Sequence, residues 1–316
     1  MSLTLVTVLF DLTRRSPTPR RSMEWLIENG QHVLALKHPM VIYAEKHLVG
    51  QLVHERAIRD LYDQTKFIIQ EFEELPHYGY WKSLESNLHL IENRDVAKDR
   101  LDNFVINWEK PGLIADVAKQ NPFNTTHVGW INLGIQNIKA FDSFGWEDAF
   151  DPPDKLHVQQ QRYLNRAIVD DPTFYKWGRC VTAGGFLTGS LQSVIDFADD
   201  FYLEFGRALS MGLAPGDEDV IGTLLVNHPE KYHISYGDYG QILCNAKRPR
   251  WGGGSFQWSY NHSLYWMINV AMSYGDMKWA ANLWQMIMQS AKDGYFKDDT
   301  WPLEPFRKTL EPICKS

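Results

Sequence analysis

Apolar runs and helical spacing alternate along the first half of the chain. Short runs rich in β-branched residues predict buried strands, whereas apolar positions three or four residues apart predict helices. The predicted strands are Leu3–Phe10, Met40–Tyr43, Lys66–Gln70 and Val128–Ile135. The predicted helices are Met23–Leu36 with Ser22 as its N-cap, Gln51–Tyr62, Arg94–Lys110, and Gly112–Lys119 after a Pro-Gly break. This alternation is typical of βαβ units, so we predict an α/β fold with a mainly parallel sheet flanked by helices.

The second half of the chain carries fewer strand signals. Its predicted elements are a loop at Gly145–Gln161, a strand at Cys180–Leu187, a helix at Leu191–Met211, a loop at Trp251–Gly254, and helices at His262–Ser273 and Met277–Ala291. The last two helices, the second capped by Asp276, predict a C-terminal helical hairpin. We therefore predict a sheet domain over 1–245 and, over 246–316, a loop rich in Gly and Trp with a helical extension that packs on that same domain.

Composition narrows the class of protein. The chain has 316 residues, of which 44% are hydrophobic and 22% are charged, so it can bury a sizeable core. Its net charge of −7 argues against a general nucleic-acid binder. No apolar stretch approaches the roughly 20 residues that a membrane-spanning helix needs. Three widely spaced cysteines make no disulfide framework, which favours a reducing compartment. We expect a cytoplasmic protein with no transmembrane segment and no nucleic-acid partner.

The end of the first strand is the first candidate site. Parallel sheets bind ligands at the carboxyl ends of their strands, and here a buried strand runs into Asp11 with Arg14 close behind. Thr7 is a candidate for contact with a base, Asp11 for a ribose hydroxyl and Arg14 for a diphosphate. The alternative is a solvated basic loop. Neither GxxxxGK[ST] nor GxGxxG is present, which disfavours a P-loop or dinucleotide site.

A second candidate lies where the fourth predicted strand reaches Trp130 and Asn132. Enzymes that use a nucleotide-sugar with a divalent metal place an acid here, typically within an Asp-x-Asp triplet, because a carboxylate binds Mg²⁺ or Mn²⁺ and the metal neutralises the diphosphate. A neutral amide is a poor substitute. The alternative role for Asn132 is to turn the chain at a strand end.

Two further motifs follow in the second half. The segment Ala183–Ser190 contains Gly184, Gly185 and Gly189 before a helix, and glycines allow close backbone approach to an anion or a sugar hydroxyl. Tight packing of helix against strand is the alternative. Asp217 and Glu218 open a later helix and are candidates for a general base that deprotonates an acceptor hydroxyl. A favourable interaction with the helix dipole would also place acids there.

Twelve tryptophans are the unusual feature of the composition. Such rings suit core packing, and they also suit flat ligands with polar edges, such as sugars and bases. In the segment WGGGSFQWSYN, Trp258 is therefore a candidate for sugar binding, and His262, just after it, is a candidate metal ligand beside Asn132. HExxH and GxSxG are both absent, so nothing supports a zinc protease or a hydrolase with a nucleophile elbow.

The ordered set of segments resembles the HtrL/YibB family, which is grouped with glycosyltransferases of the GT-A type. The resemblance covers about residues 3–240. The segments are LVTVLFDLTRR, HPMVIYAEK, the helix with Arg56 and Arg59, NPFNTTHVGWINLGI, AGGFLTGS and PGDEDVIGTLLVNHPEKY. The order of strand, glycines, helix and acids from Gly184 to Asp219 is also similar to the acceptor-side half of the glycogenin-like transferases.

The resemblance implies a nucleotide-sugar fold, with the nucleotide on the N-terminal half and the acceptor on the C-terminal half. The residues that match its motifs are Thr7, Asp11 and Arg14 in the first strand, Arg56 or Arg59 in the helix, Trp130 and Asn132, the glycines Gly184, Gly185 and Gly189, and the acids Asp217 and Glu218. Asn132 departs from the Asp usual in the family. The Mn²⁺ or Mg²⁺ that the resemblance implies therefore lacks its usual carboxylate ligand.

Three functional hypotheses follow. The first is a hexosyl- or pentosyltransferase that uses a UDP- or GDP-sugar as donor and a glycan or glycoconjugate hydroxyl as acceptor. The second, motivated by Asn132 and the tryptophans, is a non-catalytic carbohydrate- or nucleotide-binding protein on a transferase fold. The third is another transferase or hydrolase built on a doubly wound sheet.

Overall fold

The computed structural model describes residues 2–15, 22–92, 100–137, 153–171, 173–176, 180–237, 242, 255–292 and 304–314, with the backbone alone at 136–137, 255–262, 290 and 304. Within these ranges seven strands form one sheet: β1 (Leu3–Leu9), β2 (Met40–Ala44), β3 (Thr65–Ile69), β4 (His127–Ile131), β5 (Leu156–Gln160), β6 (Phe186–Ser190) and β7 (Tyr232–Tyr236). Their order across the sheet is β3-β2-β1-β4-β6-β5-β7. Every neighbouring pair is parallel except the two pairs that involve β6. The predicted α/β class, with a mainly parallel sheet flanked by helices, is confirmed.

Helices cover both faces of the sheet. They are α1 (Met23–Leu34), α2 (Lys46–Ala57), α3 (Trp81–Asn87), α4 (Leu101–Gln120), α5 (Arg166–Val169), α6 (Leu191–Ser210), α7 (Asp217–Asn227), α8 (Ser255–Ser273), α9 (Met277–Lys292) and α10 (Glu304–Cys314). Alternate residues of β1 point to opposite faces. Leu5 packs with α1 and α2, whereas Val6 packs with α4 and α6. The core therefore consists of two apolar layers, one on each side of the sheet.

Most elements of the first half match the predicted ones. Ser22 caps α1 as expected, since its side chain accepts a hydrogen bond from the backbone N–H of Trp25 at 3.1 Å. The second helix begins at Lys46, five residues before the predicted start, and the chain turns after it at Asp60, where φ is +56°. β4 ends at Ile131, because the backbone N–H of Ile135 folds back onto the carbonyl of Asn132.

The proline in α4 does not break the helix, which corrects the predicted Pro-Gly break. The helix runs from Leu101 to Gln120 with Pro111 inside it. The phenol of Tyr202, from α6, enters the helical hydrogen-bond ladder at this point: Gly112 N–H donates to its oxygen at 2.8 Å, and its O–H donates to the Trp108 carbonyl at 3.0 Å. A Cβ at Gly112 would lie 2.6 Å from that oxygen. Gly112 therefore makes room for the hydroxyl that bridges the helix.

Two strands of the second half were not predicted, and a third is shifted. β5 falls inside the predicted loop at 145–161, and β7 was missed. In β5, His157 and Gln159 are polar yet fully buried, so the sequence pattern there looks like that of a loop. β6 begins at Phe186 instead of Cys180, because Gly184 N–H bonds to a side chain of α7 instead of to a strand.

The C-terminal helices α8, α9 and α10 pack together, so the predicted hairpin is confirmed and extended by α10. Asp276 caps α9 through the Trp279 N–H at 3.1 Å, and it also accepts a hydrogen bond from the Tyr163 hydroxyl at 2.8 Å. The proposed boundary at 245/246 lies outside the described residues and stays a prediction. Across the described ranges, none of the helices combines the length and apolar character required to span a lipid bilayer.

Candidate functional site

The sheet has its topological switch point at the carboxyl ends of β1 and β4, and the crevice is defined as the edge between these two strand ends. β2 and β3 follow β1 on one side, and the chain then returns through α4 to place β4 on the other side. Such switch points form ligand crevices in open α/β sheets. Because β6 is antiparallel to β4, the glycines that precede β6 reach the same edge. The backbone N–H of Asn132 donates to the carbonyl of Gly185 at 2.9 Å.

The acids that begin α7 lie at this edge and are buried. Glu218 accepts a hydrogen bond from Gly184 N–H through Oε1 at 3.2 Å, and its carbonyl accepts one from the Thr182 hydroxyl at 2.9 Å. A Cβ at Gly184 would lie only 2.6 Å from Oδ2 of Asp217. Position 184 must therefore be glycine for Asp217 to approach the main chain so closely. The structure brings Gly184, Gly185, Asp217 and Glu218 together at this edge.

Lys110 is a central member of this group that the sequence analysis missed. It is 4% exposed, and its Nζ donates to Oδ2 of Asp217 at 2.8 Å and to the carbonyl of Gly184 at 3.2 Å. The same ammonium lies 5.8 Å from the centre of the Trp130 ring. A buried charge must be paired, and here the pairing fixes the geometry of the acid. The available signal was a lysine within a run of apolar helical positions, directly before Pro111.

Trp130 fixes the orientation of the Asn132 amide. The indole Nε1 lies 2.7 Å from Oδ1 of Asn132. An indole nitrogen can only donate, so the amide atom that faces it must be the oxygen. The amide NH₂ of half-buried Asn132 then points away from the indole. Trp130 itself is almost fully buried, which leaves no free ring face for the ligand contact predicted for it.

Asp11 lies at the end of β1 and stays ionised. Burial alone would raise its pKa, but hydrogen bonds from Thr13 and His47 and the charge of Arg14 outweigh that effect and hold the pKa below its usual value. Arg14 Nε lies 3.1 Å from Oδ2 of Asp11, and the Arg14 side chain is 60% exposed. The two predicted residues therefore adjoin each other, with the arginine accessible to a ligand.

Arg15, which was not predicted, locks the loops that follow β1, β2 and β3. Its guanidinium donates to Glu45 at 2.6 Å and to Glu73 at 2.8 Å, and it covers the ring of Phe72 at 4.6 Å. Glu45 in turn accepts a hydrogen bond from the backbone N–H of Asp11 at 2.5 Å. Arg15 therefore holds the main chain at Asp11 in place through Glu45, whereas the side chain of its neighbour Arg14 is exposed.

Arg56 and Arg59 do not reach this edge, where the role in nucleotide binding predicted for them would place them. The guanidinium of Arg56 is fully buried and donates to the carbonyls of Leu34 at 2.9 Å and Leu36 at 2.7 Å, just before β2 begins. Arg59 donates to Glu55 at 2.8 Å. Burial, followed by the charge of Arg59, lowers the pKa of Arg56 to about 10. Both arginines lie at the amino edge of the sheet, opposite the crevice.

Thr7 and Gly189 also do not line the crevice. Thr7 is fully buried in the middle of β1, so its hydroxyl cannot reach a base in this structure. Gly189 pairs with Val128 near the start of β4, and a Cβ there would lie 3.0 Å from the Cα of Leu156. It would also lie 2.5 Å from the Ser193 hydroxyl, so Gly189 allows close packing of β6 against both β5 and α6, and the contact with α6 is the helix–strand packing considered as the alternative for this motif. The side chains of Trp258 and His262, and the loop at 251–254, lie outside the described residues.

The residues present fit a divalent cation poorly. Across the ranges with described side chains, no group of three or more His, Cys, Asp and Glu could hold a metal ion. Oδ1 of Asn132 already accepts the indole N–H, and Asp217 already pairs with an ammonium. Mg²⁺ and Mn²⁺ require several oxygen ligands, preferably carboxylates.

The chain is similar to one protein family and to solved structures. The family described as "Bacterial protein of unknown function (HtrL_YibB)" matches residues 1–244, which confirms the predicted resemblance. One of the solved structures that the chain resembles is the apo form of mouse xyloside xylosyltransferase 1. That match has 11% sequence identity and a TM-score of 0.39, and it covers 74% of this chain and 85% of that chain. A search of the curated proteins finds no match.

Proposed function

The chain belongs to the HtrL_YibB family, and we propose that it is a glycosyltransferase. The reaction would move a hexose or pentose from a UDP- or GDP-sugar to a hydroxyl of a glycan or glycoconjugate. One observation carries this proposal: buried Asp217, Glu218 and Lys110 converge with Asn132 and Gly184 at the switch-point crevice of a GT-A-like sheet. This convergence combines acid–base chemistry with a cation, which sugar transfer from a diphosphate requires.

The donor would lie against the loop after β1. Asp11 is held ionised and suits a ribose hydroxyl, while the exposed guanidinium of Arg14 suits a diphosphate oxygen. Because Thr7 is buried within the sheet, main-chain groups at the end of β1 take over the contacts with the base. Arg15 holds this loop in place through Glu45 and Glu73.

The two acids of α7 would have different roles. Asp217 already pairs with Lys110 at 2.8 Å and serves to position that cation. Glu218 lies at the carboxyl edge of the sheet, where its Oε1 accepts a hydrogen bond from Gly184 N–H, and we assign Glu218 as the general base. In an inverting transfer Glu218 takes the proton of the acceptor hydroxyl. That oxygen then bonds to C1 of the sugar while the bond from C1 to the diphosphate oxygen breaks and the nucleoside diphosphate leaves.

A ligand screen tests the proposal. Purified protein would be heated with UDP, GDP, CDP and their common sugars, each with Mn²⁺ and with EDTA. A ligand that binds only the folded state adds about 2.7 kcal/mol of stability at a hundredfold excess over Kd. A shift for one nucleotide class identifies the donor. If neither UDP, GDP nor any of their sugars binds under any condition, the proposal fails.

Turnover by a base variant is the sharper test. Glu218→Gln should lower turnover by about 10²- to 10⁴-fold while donor binding persists, because the amide cannot accept the proton. Glu230→Gln, an exposed change of the same kind after α7, is the matched control and should keep full activity. Full activity in Glu218→Gln would exclude its role as the base.

A second candidate function is a non-catalytic carbohydrate- or nucleotide-binding protein. The observation that favours it is that both acids already make internal contacts, Asp217 with Lys110 and Glu218 with Gly184. Saturable glycan or nucleotide binding without donor turnover or hydrolysis would support this function over the transferase.

A further inference from the structure

We propose that the crevice binds the diphosphate of its donor without a divalent cation, through the amide N–H groups of Asn132 and the ammonium of Lys110. This inference rests on the proposed function for its ligand. Whether a cation binds depends only on the side chains of Asn132, Lys110 and Asp217, and a titration with Mn²⁺ alone tests it without any nucleotide.

The amide of Asn132 directs its N–H groups away from Trp130. The indole of Trp130 forces Oδ1 to be the atom at 2.7 Å, so Nδ2 and its two N–H groups face away from the indole. The main chain on both sides of the amide is also fixed. Asn132 N–H bonds to Gly185, and its carbonyl accepts from Ile135 at 3.0 Å. The position thus presents hydrogen-bond donors, which suit an anion, where a carboxylate would present acceptors.

The ammonium of Lys110 lies over the ring of the same Trp130. Lys110 has three ammonium N–H groups, and within the described part of the chain two of them bond, to Asp217 and to Gly184. Trp130 contacts both Lys110, through its ring, and Asn132, through its N–H. One buried indole therefore lies next to both the ammonium of Lys110, which is paired with Asp217, and the amide of Asn132. Donors fixed in this way stabilise a negative charge without reorganising when the charge arrives.

A metal ion would compete with these contacts. A cation at Asn132 would need Oδ1, which the indole already occupies, or the carboxylate of Asp217, which Lys110 already neutralises. Asp217 could bind a cation only by giving up its ion pair with Lys110. Asn132, in place of the usual carboxylate, and the pairing of Asp217 with Lys110 therefore both favour binding of an anion over binding of a divalent cation.

Titration with Mn²⁺ alone tests the cation claim. The signal of free Mn²⁺ in electron paramagnetic resonance would be followed for the wild-type protein and for Asn132→Asp, which keeps the acceptor for Trp130 but adds a carboxylate. We expect no uptake at this site in the wild type, and affinity at least about tenfold higher in the variant, since ligand charge sets cation affinity. Stoichiometric Mn²⁺ uptake by the wild type that Asn132→Ala abolishes would overturn the inference.

Nucleotide binding tests the anion claim. Calorimetry with UDP and GDP should give wild-type affinities in EDTA and in Mn²⁺ that agree within about twofold, whereas Asn132→Asp should bind at least about tenfold more weakly in EDTA and recover in Mn²⁺. A wild-type requirement for Mn²⁺ would overturn the inference. If neither nucleotide binds in any buffer, the proposed function fails, and the Mn²⁺ titration still decides the cation claim.

A matched control distinguishes a local effect from a general change in charge. Asn227 ends α7 at the opposite end from Asp217, and its Oδ1 also accepts a hydrogen bond, from Arg166 at 2.6 Å. Asn227→Asp should bind Mn²⁺ and the nucleotides as the wild type does. The same gain of Mn²⁺ binding in both variants would overturn the assignment of the effect to position 132.

Discussion

Two buried cations, Arg56 and Lys110, lie at opposite edges of the same sheet. Arg56, at the amino edge, bonds to the carbonyls of Leu34, Leu36 and His38 and to the hydroxyl of Thr65, all of them neutral. Lys110, at the carboxyl edge, bonds to a carboxylate that also begins a helix. The comparison separates a cation that completes the scaffold from one that organises a polar crevice, although burial is similar for both.

Removing Lys110 should have the largest effect on stability. Lys110→Met leaves the carboxylate of Asp217 buried without its cation, which typically costs about 3–5 kcal/mol. Urea unfolding should show this loss, and adding Asp217→Asn should recover most of it, because the stranded charge is then gone. At a temperature where the single variant is folded, UDP binding should weaken by about tenfold or more. Wild-type stability and wild-type binding in Lys110→Met would remove the distinction between the two cations.

Removing Arg56 should also destabilise the fold, but without affecting the crevice. Arg56→Met leaves three carbonyls without their donor, those of buried Leu34 and Leu36 and of partly buried His38, and each unsatisfied buried acceptor costs about 1–3 kcal/mol before water reaches it. We expect a loss near 3 kcal/mol in urea unfolding and nucleotide affinity within about twofold of the wild type. In contrast to Lys110, no single second substitution should rescue it, because four separate groups lose a partner. Weakened nucleotide binding in folded Arg56→Met would show that the two edges communicate.

A third buried base, His157, sharpens the comparison because it stays neutral. Burial, and then the nearby charge of His233, lower its pKa to about 3. The unfolded chain takes up this proton below a pH of about 6.5, whereas the folded protein does not until about pH 3. The stabilisation that depends on a neutral His157 is therefore complete above pH 6.5. It decreases as the pH falls, so the free energy of unfolding is lower by about 2 kcal/mol at pH 5.

The pH effect can be assigned by substitution. His157→Gln retains a polar group toward Ser235, whose hydroxyl lies 2.9 Å from Nε2, but removes the titrating group. The difference in urea-unfolding free energy between pH 7 and pH 5 should shrink by most of that 2 kcal/mol, roughly. His228→Gln, at an exposed position, should leave the difference unchanged. An unaltered pH dependence in His157→Gln would mean that other groups cause the acid sensitivity.

The sequence was most informative where a strand or a helix is amphipathic or uniformly apolar. β1, β2, β3, α1 and α6 follow their patterns closely. β5 could not be recognised, since the polar His157 and Gln159 are buried within the sheet. The glycines and acids of the crevice were identified as candidates because their residue types suggested chemistry. Lys110 was missed because its role depends on Asp217, a partner 107 residues away, and only the folded chain brings the two together.

The smallest effect we predict concerns the helix that carries Lys110. Tyr202→Phe removes the hydroxyl that joins Gly112 N–H to the carbonyl of Trp108 beside Pro111. Losing this bridge should cost about 1 kcal/mol, since the two groups can partly recover by bonding to each other. Hydrogen exchange should show faster exchange of the Gly112 amide, and nucleotide binding should weaken slightly because Lys110 is next to the loosened turn. Tyr80→Phe, on an exposed ring, should change neither. If Gly112 exchanges at the wild-type rate in Tyr202→Phe, the helix maintains its path past Pro111 unaided, and Lys110 owes its position to Asp217 and Gly184 alone.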